Sequence, residues 1–162
     1  MKKIIQYYHP ALRRKTEKVL IDKETKELII EMKEVLKKEG GVGLAAPQIG
    51  ISKRLIVIDT GKEIFALLNP EITWQGKEKI TTKEGCLSVK GVWLDVIRIN
   101  KIKVSALTEN GKNIEIEAKE IMAVVLQHEI DHLNGILFID RVSFFLKMKS
   151  LFIYFLNKTF KH

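Results

Sequence analysis

The chain has 162 residues, 46% of them hydrophobic, which is enough for one domain, residues 1–162, with a sizeable core. Its net charge of +8 points either to solvated lysines or to an acidic partner, and the single cysteine, Cys86, excludes an internal disulfide. The longest apolar run near the C-terminus, Leu151 to Leu156, is far below the ~20 residues of a membrane span, and the opening turns polar at Gln6 and Tyr7, so neither a membrane partner nor a secretory signal is expected and the cytoplasm is the expected location.

From Asp22 to Lys38, apolar Leu28, Met32, Val35 and Leu36 recur at helical spacing, and Gly40-Gly41 ends the pattern. Arg54 to Asp59 and Glu63 to Leu68 read as strands joined tightly by Thr60-Gly61-Lys62, with further strands expected around Trp74 to Thr81 and Val92 to Val96. Lys101 to Leu107 and Asn113 to Ala118 alternate polar and apolar about Asn110-Gly111, a hairpin signal. Glu120 to Leu133 turns helical, with Asn134-Gly135 as its stop, and Ser143 to Phe160 is an apolar, basic and helical last segment. No repeat or linker interrupts this order.

His128-Glu129-Ile130-Asp131-His132 is an H-E-x-x-H sequence. On a helix its two imidazoles project from one face a turn apart, close enough to grip one ion. Ile121, Val125, His128 and His132 fall on one stripe, which puts the histidines on the apolar face, where an unpaired imidazole pair would be costly to bury. Glu129 stands next to the open coordination position, placed to accept a proton from a water molecule that the cation acidifies.

A catalytic site of this kind takes a third protein ligand. His9 and His162 lie near the chain ends, Phe138 stands where a metzincin would place its third histidine, and no glutamate follows Glu129. Asp140 stays open as a ligand but lies past the helix end, so Cys86 is the stronger candidate. A thiolate with two imidazoles suits zinc or ferrous iron.

Gly41-Val42-Gly43-Leu44-Ala45-Ala46 fits a loose dinucleotide-binding pattern, but a helix rather than a strand precedes it, and Pro47 and Gly50 break any helix that might follow. No nucleotide cofactor is therefore expected. The other reading is that these glycines let the backbone pass close to a substrate, with the Gln48 amide as a donor at the segment's end.

Three segments stand together in this order: Gly41-Val42-Gly43-Leu44-Ala45-Ala46-Pro47-Gln48, Glu84-Gly85-Cys86-Leu87-Ser88, and Gln127-His128-Glu129-Ile130-Asp131-His132. The set resembles the signature motifs of the bacterial peptide deformylases, and the resemblance runs from His9-Pro10-Ala11-Leu12-Arg13 to the C-terminal helix. It implies an α+β fold, small antiparallel sheets around a central helix carrying the H-E-x-x-H, with N-terminal and C-terminal helices. It also implies a hydrolase that removes the formyl group from the N-terminal formylmethionine of nascent polypeptides.

The resemblance places one ion per chain on Cys86, His128 and His132, expected to be ferrous iron with zinc, nickel or cobalt as substitutes. Glu129 would be the proton carrier, and the Gln48 amide and the Leu87 backbone N–H would meet the oxyanion. Val42, Gly43 and Gly85 would align the substrate, and Val124 and Val125 would receive the methionine side chain. It further implies contact with ribosomal RNA through the basic C-terminal helix. Lys90 departs from the family, which often has proline after its Cys-Leu-Ser-hydrophobic stretch. The rival activities are a zinc endopeptidase built on the same H-E-x-x-H and an RNA-binding module with a structural metal.

Overall fold

The computed structural model describes residues 2–159. Asp22 is extended and its carboxylate accepts from the Thr25 N–H at 2.7 Å, which caps helix α1, Lys23–Glu39. Gly40 ends the helix at φ 67°, a left-handed position that favours a residue without a β-carbon. Strand β1, Gly43–Ala45, follows, then a 3-10 turn at Ala46–Ile49, and then β2, Leu55–Asp59.

Strands β3 (Ile64–Gln75), β6 (Lys101–Leu107) and β7 (Asn113–Lys119) join β1 and β2 in one antiparallel sheet ordered β1-β2-β3-β6-β7. Strands β4 (Lys79–Cys86) and β5 (Val89–Ile99) form a separate two-stranded sheet. The expected strand at Trp74 to Thr81 is therefore wrong. Trp74 and Gln75 end β3, and Thr81 belongs to the other sheet. The chain crosses between sheets at Gly76, whose N–H donates to Lys101 O at 2.8 Å and where a β-carbon would stand 3.2 Å from that same oxygen. Alternation on both sides of the crossing looks continuous in sequence, so only the glycine marks the break.

β2 reads Leu-Ile-Val-Ile because both of its faces are covered. Leu55 and Val57 pack with Leu28, Met32, Val35 and Leu36 of α1. Ile56 and Ile58 pack with Ala123, Leu126, Ile130 and Leu133 of helix α2, Glu120–Leu133. α2 thus lies against one face of the five-stranded sheet while β5 crosses beside it. A third cluster joins Val89, Val92, Leu94 and Val96 of β5 to Leu137, Phe138 and helix α3, Phe144–Thr159, through Leu151 and Tyr154. Phe160, the expected end of that helix, and His162 lie outside the described residues.

The connection from α2 to α3 is held from two sides. Gly135 is left-handed at φ 73°, and a β-carbon there would meet the Arg13 carbonyl oxygen at 2.5 Å. The Asp140 carboxylate accepts from the Leu137 N–H and pairs with Arg13 and Lys147. Asp140 is thereby closed to the metal-ligand role the sequence left open for it. Burial raises its pKa, but the Arg13 and Lys147 hydrogen bonds outweigh that and hold it below the ordinary 3.8.

Gly135→Ala should therefore lower unfolding stability by about 2 kcal/mol or more, read from urea melts, since both the left-handed backbone and the carbonyl contact oppose a methyl group. Asp140→Asn tests the carboxylate. A depressed folded pKa contributes stability above the unfolded value and loses it below, so the variant should melt lower than the parent at pH 7, and the gap should close as pH falls below about 3.8.

Candidate active site

Three elements converge on one cleft. The cleft is about 510 Å³ and is lined by β1 and the residues before it, by the β4–β5 hairpin, and by one face of α2. Among its lining residues are Val42, Gly43, Gln48, Gly85, Cys86, Leu87, Val124, Val125, His128 and Glu129, so every residue that the resemblance places at the site except His132 lines it, while Asp140 does not. His132 lies behind them, 1% exposed.

The donor atoms of Cys86, His128 and His132 all lie within 4.8 Å of one another. Cys86 ends β4, opposite Val89, with the turn at Leu87-Ser88 and a register irregularity just before it. Its Sγ is 3.3 Å from His132 Nε2 and accepts from the Ser88 N–H at 3.4 Å. His128 and His132 are one turn apart on α2, and His128 Nδ1 meets the Glu84 carboxylate at 2.8 Å, which leaves Nε2 for an ion. One thiol and two imidazoles at this separation fit a single soft or borderline divalent cation, and the Glu84 bond is the kind of support that fixes a ligating histidine.

The same arrangement shifts the proton affinities of these groups. Burial disfavours charge on His128, but hydrogen bonds to Cys86 and Glu84 and the charge of Glu129 outweigh it and hold its pKa well above 6.5. Burial and the positive charges of His128, Arg98 and Arg13 push His132 well below 6.5. Glu129 is 4% exposed, and its Oε2 has no hydrogen-bond partner among the described residues. Burial raises it to about 7, with the Glu84 charge adding to that and His128 and Arg98 opposing. A carboxyl group poised there can take and return a proton near neutral pH.

Gln48 is 1% exposed and its orientation is fixed. Its Oε1 accepts from the Ala45 N–H at 2.8 Å, so Nε2 is turned to Ser88 Oγ at 3.4 Å and Cys86 Sγ at 3.5 Å. Beside the substrate approach expected from its sequence, Gly43 meets a packing constraint. A β-carbon there would stand 2.5 Å from Glu129 Oε1, so this glycine is what lets β1 lie against the glutamate. The α2 stripe also differs from expectation. Ile121 is exposed and Val125 half-buried along the cleft, whereas Ala123, Leu126, Ile130 and Leu133 face the core. The histidines therefore sit at the margin between core and cleft. A cleft-lining stripe and a core-facing stripe have the same period, so hydropathy alone does not separate them.

Sequence reading passed over the charges behind the ligand cluster. Arg98 of β5 is 4% exposed and donates to both Glu84 oxygens at 2.7 and 3.0 Å and to Asp131 at 2.6 Å. Burial alone would raise Glu84, but the hydrogen bonds from Arg98 and His128 hold it near 2. Asp131 also accepts from Arg141 Nε at 3.0 Å. A signal existed for two of these residues: Glu84 is two positions before Cys86 on the same strand face, and Asp131 is one turn from His128. Nothing in the sequence marks Arg98. Lys90 continues β5 and pairs with Glu39 at 3.1 Å on the cleft rim, so its departure from the usual proline leaves the strand intact.

A profile of the family described as Polypeptide deformylase matches residues 1–147. The chain belongs to the polypeptide deformylase family. The peptide deformylase of Acetivibrio thermocellus is 48% identical over 136 residues, 83% of this chain and 79% of that protein. That of Aquifex aeolicus is 46% identical over 147 residues, 86% of each chain. Among solved structures, a peptide deformylase from Legionella pneumophila superposes with a TM-score of 0.91 at 38% identity, covering 100% of this chain and 99% of that one. One from Synechococcus elongatus in complex with actinonin gives 0.90 at 38% identity, covering 94% of this chain and 85% of that one. The deformylase architecture, α+β with antiparallel sheets, is the one described above.

Glu84→Gln removes the one carboxylate that both Arg98 and His128 share. The variant should lose roughly 3 kcal/mol of stability at pH 7 by urea unfolding, because a buried guanidinium is left with one partner instead of two. Unchanged stability would mean that Asp131 alone satisfies Arg98.

Proposed function

We propose that this cleft is the catalytic centre of the chain's deformylase activity and that Cys86, His128 and His132 hold one ferrous ion there, with zinc, nickel or cobalt able to take the same place. As a deformylase the chain is a metal-dependent hydrolase that removes the formyl group from the N-terminal methionine of newly made polypeptides and releases formate. The observation that carries the site assignment is the convergence of three ligand atoms within 4.8 Å beside a buried Glu129 whose Oε2 has no partner among the described residues. When bound, the cation supplies Lewis acidity, polarising the formyl carbonyl and making water easier to deprotonate.

The chain's own residues do the rest. Glu129, buried beside the ligand cluster, takes the proton of the attacking water and delivers it to the departing amine nitrogen as the carbon–nitrogen bond breaks. Gln48 Nε2, held towards Cys86 by the Ala45 bond to its Oε1, and the Leu87 backbone N–H donate to the oxygen on which negative charge develops. Val42 and Gly43 at the β1 edge and Gly85 of β4 align the substrate backbone, and Val124 and Val125 along the cleft receive the methionine side chain. Family membership disfavours the endopeptidase, which would use the same H-E-x-x-H on an internal peptide bond.

We take residues 1–162 as one catalytic unit working in the cytoplasm, where formylated nascent chains arise. Contact with ribosomal RNA through the C-terminal helix rests on five basic residues and no acidic one from Arg141 to His162. Two of those bases are engaged within the chain, Arg141 with Asp131 and Lys147 with Asp140.

Protein purified without oxygen and loaded with ferrous iron should release formate from a formylmethionyl peptide. Glu129→Ala should keep one metal per chain and lose on the order of 10²-fold or more of the turnover. A parent that binds iron yet releases no formate would sink the activity, and an active Glu129→Ala would remove Glu129 from the chemistry.

A further inference from the structure

Residues 2–9 form neither strand nor helix, yet three successive ones are bonded to the two turns that flank the ligand cluster. The Ile5 N–H donates to Gln48 O at 2.8 Å, Gln6 Nε2 donates to Leu87 O at 3.0 Å, and the Tyr7 N–H donates to Ser88 O at 2.7 Å. Gln48 lies in the turn after β1 of the five-stranded sheet, and Leu87-Ser88 is the turn between β4 and β5 of the other. The segment therefore ties together two turns that belong to different sheets. The bonds that cross between them directly, from Gln48 Nε2 to Ser88 Oγ at 3.4 Å and to Cys86 Sγ at 3.5 Å, are longer. Apolar side chains hold the segment down: Ile4 packs on the α1 cluster, Ile5 and Tyr7 on the cluster of β5 and α3, and the Tyr7 ring meets Tyr154 edge-on at 5.8 Å.

Of the three bonds, only the one from Gln6 depends on a side chain. It acts on a peptide that is gripped at both ends. The Leu87 carbonyl accepts from Gln6, while the N–H of the same peptide, that of Ser88, donates to Cys86 Sγ at 3.4 Å. An N–H aimed at a thiolate draws charge from the sulfur and so alters what that ligand gives an ion. Leu87 is also the joint between this peptide and the one that carries its own N–H, the oxyanion donor proposed above. Each residue has only two soft backbone dihedrals, so fixing one peptide restricts how the other can turn. Gln6 itself is half-buried and does not line the cleft, which leaves it no contact with substrate there.

We propose that Gln6 is a positioning residue for the deformylase reaction: through the Leu87–Ser88 peptide it keeps the Ser88 N–H on the Cys86 thiolate and restricts the rotation of the Leu87 N–H. The proposal rests on the site assignment above, with Cys86 as a ligand. A role confined to tethering the chain end predicts something else. The Ile5 and Tyr7 bonds come from backbone groups that any substitution at Gln6 retains, so such a tether could be weakened, lowering the melting temperature, without changing the sulfur.

The test compares the full parent chain with Gln6→Met and Gln6→Glu, loaded with cobalt for spectroscopy and with ferrous iron for turnover. Methionine keeps the length of the side chain without a donor, and glutamate keeps its shape but, when ionised, turns only acceptors to the Leu87 carbonyl. One cobalt per chain shows that a variant is folded around its site. In both variants the thiolate-to-cobalt charge-transfer band should move to longer wavelength, because a sulfur that has lost an N–H donor gives up charge more readily. Formate release from a soluble formylated peptide should fall about ten-fold in kcat, with KM held within about two-fold. A band and a kcat that both stay at the parent's values would overturn the proposal and leave Gln6 as a tether. Either effect without the other would also overturn it, since the loss of turnover would then not run through the Cys86 turn. A parent that shows the thiolate band but releases no formate would sink the activity instead, and the band in the variants would still decide whether Gln6 sets the sulfur contact.

Discussion

Two carboxylates around one buried guanidinium hold the two-stranded sheet against helix α2. Arg98 on β5 grips Glu84 on β4 and Asp131 on α2, and each of the three side chains is less than a tenth exposed. Burying such charges costs several kcal/mol each unless every one is matched, so the set tolerates few other arrangements of the two-stranded sheet against the helix. That placement brings Cys86, at the end of β4, to His128 and His132. The same Glu84 that closes on Arg98 also takes His128 Nδ1, so one residue ties the β4–β5 sheet to α2 and orients an imidazole.

The five-stranded sheet supplies the other half of the frame. β2 is apolar on both faces because α1 covers one and α2 the other, and this sandwich fixes the depth at which α2 lies. At the near edge of that sheet Gly43 allows β1 to approach Glu129 more closely than any side chain would permit. Glu129 is thereby kept from water, and burial carries its carboxyl up to about 7. Fold and acidity here are one fact seen twice, since the packing that excludes solvent also raises the proton affinity of this carboxyl.

Much of this was legible in the chain. Asp22 and Gly40 bracket α1, the β6–β7 hairpin surrounds Asn110-Gly111, and α2 runs from Glu120 to Leu133 as its pattern indicates, because capping and period act over a few neighbouring residues. The cleft residues named from motifs do assemble, with His132 set behind them. The illegible parts are non-local. The break at Gly76 depends on Lys101, 25 residues further on, and the exposed apolar stripe of α3, through Phe145 and Phe152, has the same period as its buried one.

The sequence by itself determined which residues could do this chemistry: a thiol, two imidazoles one helical turn apart, a glutamate between them and an amide after a glycine-rich turn. Those identities are covalent, and helical spacing is enough to pair the two histidines. Only the tertiary structure decided that Cys86 joins them, that Asp140 does not, and that Glu129 is dry enough to titrate near neutrality. Each of those outcomes depends on charges and backbones distant in the chain, Arg98 for the sheet, Arg13 for Asp140 and Gly43 for the glutamate, and such partners meet only when the whole fold excludes water around them.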